Sequence, residues 1–140
     1  MKPEKTTILD FVPEVKQPRV SKIDEPRSST HVIALVPVEY LNHTWPDVRE
    51  EIERAVLRAN GRWSIEALYA SILNGEQQLW IAFDEDKNIE GVGTTEVAYY
   101  PAKTMMVIQF LGGNNFNSWV WDMLEKFKQF GRDHGCQGIE

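Results

Sequence analysis

The chain has 140 residues, of which 42% are hydrophobic and 26% are charged, a composition that fits one globular domain. No apolar run approaches the ~20 residues that a membrane-spanning helix needs, and the single cysteine, Cys136, excludes an internal disulfide. The net charge of −6 divides into +1 over residues 1–30 (six basic, five acidic) and −7 over residues 31–140 (nine basic, 16 acidic), so we expect neither a membrane nor nucleic acid as a direct partner.

The first thirty residues differ in composition from the rest of the chain. They hold four of the seven prolines and one aromatic residue, Phe11, and their apolar residues are too sparse to form a core. We therefore divide the chain into an extended N-terminal arm, 1–30, and a domain, 31–140. The charged start of the arm is unlike a signal peptide, which indicates an intracellular setting. The arm either lies on its own domain or docks onto a partner chain through its apolar residues Ile8, Leu9, Phe11 and Val12.

The first half of the domain predicts one strand and two helices. The β-branched, apolar run His31–Val36 predicts a buried first strand. A first helix is predicted from the cap Thr44 to Asn60-Gly61, because apolar residues recur there at helical spacing. A second helix is predicted from the cap Ser64 to Asn74-Gly75.

The second half predicts three strands joined by tight turns, then a helix and the start of another strand. The strands are Gln77–Phe83, Ile89–Tyr100 and Thr104–Leu111, and the short turns between them favour antiparallel pairing. Since Thr104–Leu111 is almost entirely apolar, we expect it at the centre of the sheet and buried on both faces. A helix follows over Asn117–His134, and Cys136–Glu140 opens a last strand. The fold class is α+β, in the order β-α-α-β-β-β-α-β.

That order of elements resembles the GNAT (N-acetyltransferase) fold, with a mostly antiparallel mixed sheet flanked by helices. Several short motifs strengthen the resemblance over about residues 44–140: Gly61-Arg62-Trp63-Ser64, Gln78-Leu79-Trp80, Thr95-Glu96, Tyr100-Pro101, Gly112-Gly113 and Gly135-Cys136. The series is similar to that of an uncharacterised family of GNAT-like proteins carried by tailed phages and prophages, commonly among their particle genes. Members of that family usually continue with a Gly-Arg and a Gly-Trp turn, whereas this sequence stops at Glu140, so we expect half of the usual cleft to be missing.

The phage resemblance implies a non-catalytic component of a tailed-phage particle. The arm would tie the domain to capsid, portal or tail-adaptor subunits, in multiple copies, and the protein would be located in the virion after synthesis in the host cytoplasm. The alternative that the GNAT resemblance implies is an acetyl-CoA-dependent N-acetyltransferase acting on a protein or a small amine.

The cofactor loop is the first test of that alternative. GNAT enzymes bind the pyrophosphate of acetyl-CoA on backbone amides of a Q/R-x-x-G-x-G/A loop that opens a helix. The best match here is a stretch of five candidate residues, Gln109, Gly112, Gly113, Asn114 and Asn115, in which Asn114 stands where a minimal side chain is wanted. No lysine or arginine occurs between Thr104 and Glu125. We therefore expect a structural turn without a cofactor, and acetyl-CoA on these residues only if the chain is an enzyme.

Candidate catalytic residues are few. If the chain is an enzyme, Glu96 is the best general base and Tyr99 or Tyr100 the nearest acid. The alternative for all three is an ordinary place in a sheet, with the carboxylate in solvent and the tyrosines in packing.

Two further residue sets bear on ligands and partners. The three histidines are too far apart in sequence to suggest a zinc site, so no metal is expected. Trp119 and Trp121 lie on one predicted helix and cannot both face the core, so one indole should be exposed. The pair is a candidate partner-binding surface.

Overall fold

A five-stranded sheet with three helices makes up the part of the chain that the computed structural model describes, residues 31–59 and 61–140. The strands are β1 (Val32–Leu35), β2 (Gln78–Phe83), β3 (Ile89–Tyr99), β4 (Thr104–Gly113) and β5 (Gly138–Ile139). The helices are α1 (Leu41–Arg58), preceded by a 3-10 turn at Val38–Tyr40, α2 (Ile65–Leu73) and α3 (Phe116–Asp133). This order confirms the predicted α+β class. The proposed arm anchor, Ile8, Leu9, Phe11 and Val12, lies outside the described residues.

The strands lie side by side in the order β1-β2-β3-β4-β5. The first four pair antiparallel, as the short turns predict, and β5 pairs parallel to β4 through Met105–Gly138 and Met106–Ile139. The parallel pair follows from the connection, because α3 carries the chain back across the sheet before β5 begins.

Helices cover the sheet on two faces, and each face has its own core. Residues Leu79 and Ile81 of β2 pack with α1 and α2, whereas Trp80 and Ala82 of the same strand pack with α3. The alternation is that of a strand buried on both sides. The side chains of β3 and β4 alternate between the same two faces of the sheet.

The two predicted helix caps have different outcomes. Ser64 caps α2, since its Oγ accepts a hydrogen bond from Ala67 N at 3.0 Å, as the sequence predicts. Thr44 is not a cap, because α1 already begins at Leu41. The Thr44 side chain is fully buried, and its hydroxyl donates to Tyr40 O at 2.9 Å. Such a hydroxyl bonded to the preceding turn is common inside helices and cannot be told from a cap by sequence alone.

The prediction that Thr104–Leu111 is buried on both faces is wrong. Most residues of β4 are only partly buried. Three of them are buried: Met106, Phe110 and Gly112. The reason is its position, since β5 is two residues long and shields only one half of β4. An apolar run therefore lies next to an edge rather than at the centre of the sheet.

The two tryptophans of α3 divide as predicted, one inward and one outward. Trp119 is fully buried, its ring lies where a side chain on Gly91 would be, and its Nε1 donates to Asn114 O at 2.7 Å. Trp121 is 55% exposed. The expectation that Trp119 takes part in a partner surface is wrong, because its indole is part of the core between α3 and the sheet.

Candidate functional site

A β-bulge interrupts the pairing of β3 with β4 at Gln109. Thr94 lies opposite Phe110 and the next residue, Thr95, lies opposite Ile108, so Gln109 is the extra residue on β4. A bulge bends its strand and redirects a side chain, and bulges are frequent beside active sites.

The bulge brings an amide to a carboxylate. Gln109 Nε2 donates to Glu96 Oε1 at 2.7 Å. Val97 and Ile108, the neighbours of this pair along the two strands, pack in the core beside α3. Glu96 and Gln109 therefore lie on the opposite face, the one that α1 and α2 share, and both are partly exposed there. The hydrogen bond uses Oε1 and leaves Oε2 of Glu96 available to a ligand.

Two buried polar side chains lie near this pair without a hydrogen-bond partner among the described residues. The Thr94 hydroxyl, two residues before Glu96 on the same face, is fully buried. The Gln77 side-chain amide is also buried, and its residue directly precedes β2. Continuing the β2–β3 register by one residue places Gln77 beside Glu96. Buried polar groups in native proteins are nearly always paired, so this part of the sheet is built for something other than packing alone.

Beyond the bulge, β4 has a free edge in the part of the chain that the structure describes. Ile108 N donates to Glu140 O at 2.9 Å, and this is the last hydrogen bond that joins β4 to the β5 segment. From Gln109 to Gly113, β4 pairs with β3 on one side only. The edge thus offers a row of backbone donors and acceptors, about five residues long, that leads from the bulge to the start of α3.

The glycines of the predicted cofactor loop lie in a strand. Gly112 pairs with Val92 and Gly113 with Gly91. A side chain on Gly113, whose φ is 142°, would approach Glu90 O to 2.2 Å, so close strand packing explains this glycine. The loop that remains between β4 and α3 is Asn114-Asn115, with Asn115 in the left-handed conformation at φ 52°.

Carboxylates surround one side of the α3 start. His31 Nε2 lies 2.8 Å from Glu90 Oε1, and Asn115 Nδ2 donates to Glu90 Oε2 at 2.7 Å. The hydrogen bond with His31 lowers the pKa of Glu90 most, and the hydrogen bond from Asn115 lowers it further. Backbone hydrogen bonding by Asn88 likewise lowers the pKa of Asp84. Both acids line a surface hollow of about 620 Å³ together with Glu85 and Asp86, so this side of the helix start is negative at neutral pH.

The tyrosines predicted as acids are not close to the carboxylate. Tyr99 and Tyr100 lie at the far end of the β3–β4 hairpin, where Tyr100 N donates to Lys103 O at 2.8 Å, and both are exposed. Tyr99 is three strand residues from Glu96, a separation of about 10 Å along β3. The structure therefore brings Glu96 together with Gln109 rather than with a tyrosine. The sequence predicted Gln109 for a different role, as the first residue of the candidate cofactor loop.

Two other features are absent from the described residues. No group of three or more His, Cys, Asp or Glu side chains in residues 31–59 and 61–140 is placed to hold a metal ion. None of the helices described here is long and apolar enough to cross a membrane.

Comparison with known proteins gives a likeness of fold. No protein-family model and no curated protein matches the sequence. Among solved structures, a probable acetyltransferase is 13% identical with a TM-score of 0.60, covering 77% of this chain and 76% of that chain. An aminoglycoside acetyltransferase from an uncultured soil metagenomic sample, in complex with sisomicin, is 17% identical with a TM-score of 0.56, covering 79% and 76%. A possible acetyltransferase from Clostridium difficile 630 is 8% identical with a TM-score of 0.54, covering 79% and 78%.

These neighbours establish that the chain has a GNAT-like fold, as the sequence resemblance predicts. At such low identities they define the fold alone. The phage origin and the virion location remain predictions from the resemblance.

Proposed function

We propose that this chain is an N-acyltransferase that moves an acyl group from acetyl-CoA, or a related acyl-CoA, to an amine. One observation carries the proposal: the bulge at Gln109 brings its side-chain amide to the Glu96 carboxylate on a partly exposed face of the sheet. The Glu96 carboxylate of β3 thus lies beside the stretch of β4 that leads from the bulge to the start of α3. The GNAT-like fold of acetyltransferases supports the same class of reaction.

In this proposal the acyl donor binds mainly through hydrogen bonds to backbone groups and less through attraction to charged side chains. The β4 edge at Gln109–Gly113 offers hydrogen-bonding groups to an extended arm that contains amides. The first backbone N–H groups of α3 would provide neutral donors to its phosphates, whereas the side chains of Asn115, Asn117 and Ser118 line the acidic hollow beside Glu90. The bound donor supplies an activated acyl carbon as a thioester. Because the hollow beside Glu90 is negative, we place the phosphates on the β4 side of the helix start.

Glu96 is the proposed general base. An alkylammonium must lose a proton before its nitrogen can attack, and a base must lie within hydrogen-bond reach of that proton. Gln109 fixes the carboxylate by its hydrogen bond to Oε1, so Oε2 is the atom that would accept the proton. Tyr99 and Tyr100 have no part in this proposal, since both lie at the exposed end of the hairpin.

The test compares the wild-type chain with Glu96→Gln, which keeps the shape of the side chain and removes its basicity. Glu125→Gln, an exposed α3 carboxylate 3.3 Å from Lys128, is the matched control. We expect acetyl-CoA to raise the melting temperature of all three proteins, because a ligand that binds only the folded state stabilises it. We expect kcat/KM for amine acetylation to fall about 100-fold in Glu96→Gln alone.

Three results would contradict the proposal: no thermal shift with millimolar acetyl-CoA, no acetylated product with any amine, or equal rates for Glu96→Gln and its control. The first two together would favour the second candidate, a non-catalytic component of a phage particle. The exposed side chains of Trp121 and Phe116 on α3 support that candidate as an interaction surface. Its partners would be capsid, portal or tail-adaptor subunits, bound also through the arm.

A further inference from the structure

An apolar strip continues from the Glu96–Gln109 pair along the β3–β4 hairpin. Val97 and Met106 belong to the core beside α3, so the alternation of each strand places Ala98, Met105 and Val107 on the opposite face. None of these three is among the residues of either core in the described part of the chain, and all three are partly exposed. The helices α1 and α2 thus leave this half of the sheet face uncovered.

The strip begins directly at the proposed base. Glu96 is the cross-strand partner of Val107, and Ala98 is the partner of Met105. Two successive pairs on one face are about 7 Å apart along the strands. A carboxylate therefore stands at one end of an apolar surface whose length suits a short aliphatic chain or one aromatic ring.

The charges around the strip favour a cationic ligand. Glu96 is the charged residue of the strip, and Glu140 lies beside Val107, because its backbone pairs with Met106 and Ile108. Lys103 in the hairpin turn is the nearest basic residue along the chain. The domain as a whole carries −7, which attracts cations to it. A ligand with several amines would place charged groups on the apolar surface of Ala98, Met105 and Val107, which disfavours it relative to a monoamine.

We propose that the acceptor is a primary monoamine on an apolar chain, with its ammonium at Glu96 Oε2 and its apolar part along Val107, Ala98 and Met105. The assignment as an acceptor rests on the proposed function. Binding of the amine does not, because the strip and the carboxylate are present without an acyl donor.

The experiment measures binding to the full chain by calorimetry in the absence of acetyl-CoA. The probes are propylamine, pentylamine and heptylamine, with heptanol as the neutral analogue and spermidine as the polyamine. Burial of a methylene corresponds to about a fourfold gain in affinity, so we expect affinity to rise about fourfold per carbon and then to level off once the strip is covered. We expect heptanol and spermidine to bind at least tenfold more weakly than heptylamine.

Two variants locate the site. Val107→Ser should weaken heptylamine binding about tenfold and flatten the series, whereas Leu57→Ser, at an apolar residue of α1 that is 76% exposed, should change nothing. A flat series in the wild-type chain, or spermidine or heptanol binding as tightly as heptylamine, would overturn the inference without reference to any variant. If the amine series behaves as expected and acetyl-CoA yields no product, the monoamine site stands and the proposed transferase activity fails.

Discussion

The two halves of the β3–β4 hairpin share one pair of strands and differ in what covers them. In the half far from the hairpin turn, β3 is buried on both faces from Gly91 to Thr94. Trp119 lies over Gly91, and Met123 and Phe127 lie over Gly93. In the half next to the hairpin turn, the residues of β3 from Glu96 to Tyr99 are partly or fully exposed. In the first half, the glycines leave room for large side chains of α3 to pack closely on the strand, which makes this half rigid. In the second half, side chains remain exposed and can contact a ligand. A stable half thus holds the site-bearing half in place.

The largest effect is expected from filling the space above Gly91. A Cβ at this position would lie 2.3 Å from the Trp119 ring, which is fully buried and held by its hydrogen bond to Asn114 O. Since the ring has no free space to enter, we expect Gly91→Ala to lower the free energy of unfolding by about 3 kcal/mol. Equilibrium denaturation in guanidinium chloride measures this loss.

The control for Gly91→Ala is Gly138→Ala on β5, where Gly138 pairs with Met105 of the exposed half. There a Cβ would lie 3.1 Å from the terminal methyl of Met105, which is flexible and can move. We expect a cost below about 1 kcal/mol. Equal losses in the two variants would show that the halves of the hairpin do not differ in rigidity as argued.

A smaller effect with opposite signs is expected at two adjacent threonines next to the bulge. The Thr95 hydroxyl accepts from Trp80 Nε1 at 2.9 Å and donates to Gln78 Oε1 at 2.8 Å, whereas the buried Thr94 hydroxyl has no partner among the described residues. Replacing Thr94 by valine removes an unpaired polar atom and should stabilise the fold by about 1 kcal/mol. Replacing Thr95 by valine leaves a buried indole N–H unpaired and should destabilise it by about 2 kcal/mol.

Thermal and denaturant unfolding of the two valine variants provide the comparison. If Thr94→Val is as destabilising as Thr95→Val, then the Thr94 hydroxyl has a structural partner and does not belong to the site. A more stable Thr94→Val protein would fit a residue kept for function at a cost in stability.

The sequence predicted the order of elements, the Ser64 cap and one exposed tryptophan, because each depends on local spacing or on one helix face. It did not predict the bulge. The contact of Gln109 with Glu96 depends on the register of two strands, and register is set by packing on both faces of the sheet. For the same reason Gly112 and Gly113 resembled a phosphate-binding loop in sequence, whereas their pairing with β3 places them in a strand.

The smallest effect is expected at Glu90, which links the covered half of the hairpin to the start of α3. Its carboxylate accepts from Asn115 and lies 2.8 Å from His31 Nε2, and these contacts lower its pKa. A carboxyl whose pKa is lower in the folded state adds stability above its unfolded pKa of about 4.3, and this stability is lost as the pH falls through the folded value. Glu90→Gln should therefore melt below the wild type at pH 7, and the two melting temperatures should converge as the pH falls through the lowered pKa of Glu90. Glu125→Gln, which changes a carboxylate exposed on α3, should track the wild type across this range. A Glu90→Gln deficit that does not shrink at any acidic pH at which the wild type stays folded would mean that the shape of the Glu90 side chain, and not its charge, connects the hairpin to α3.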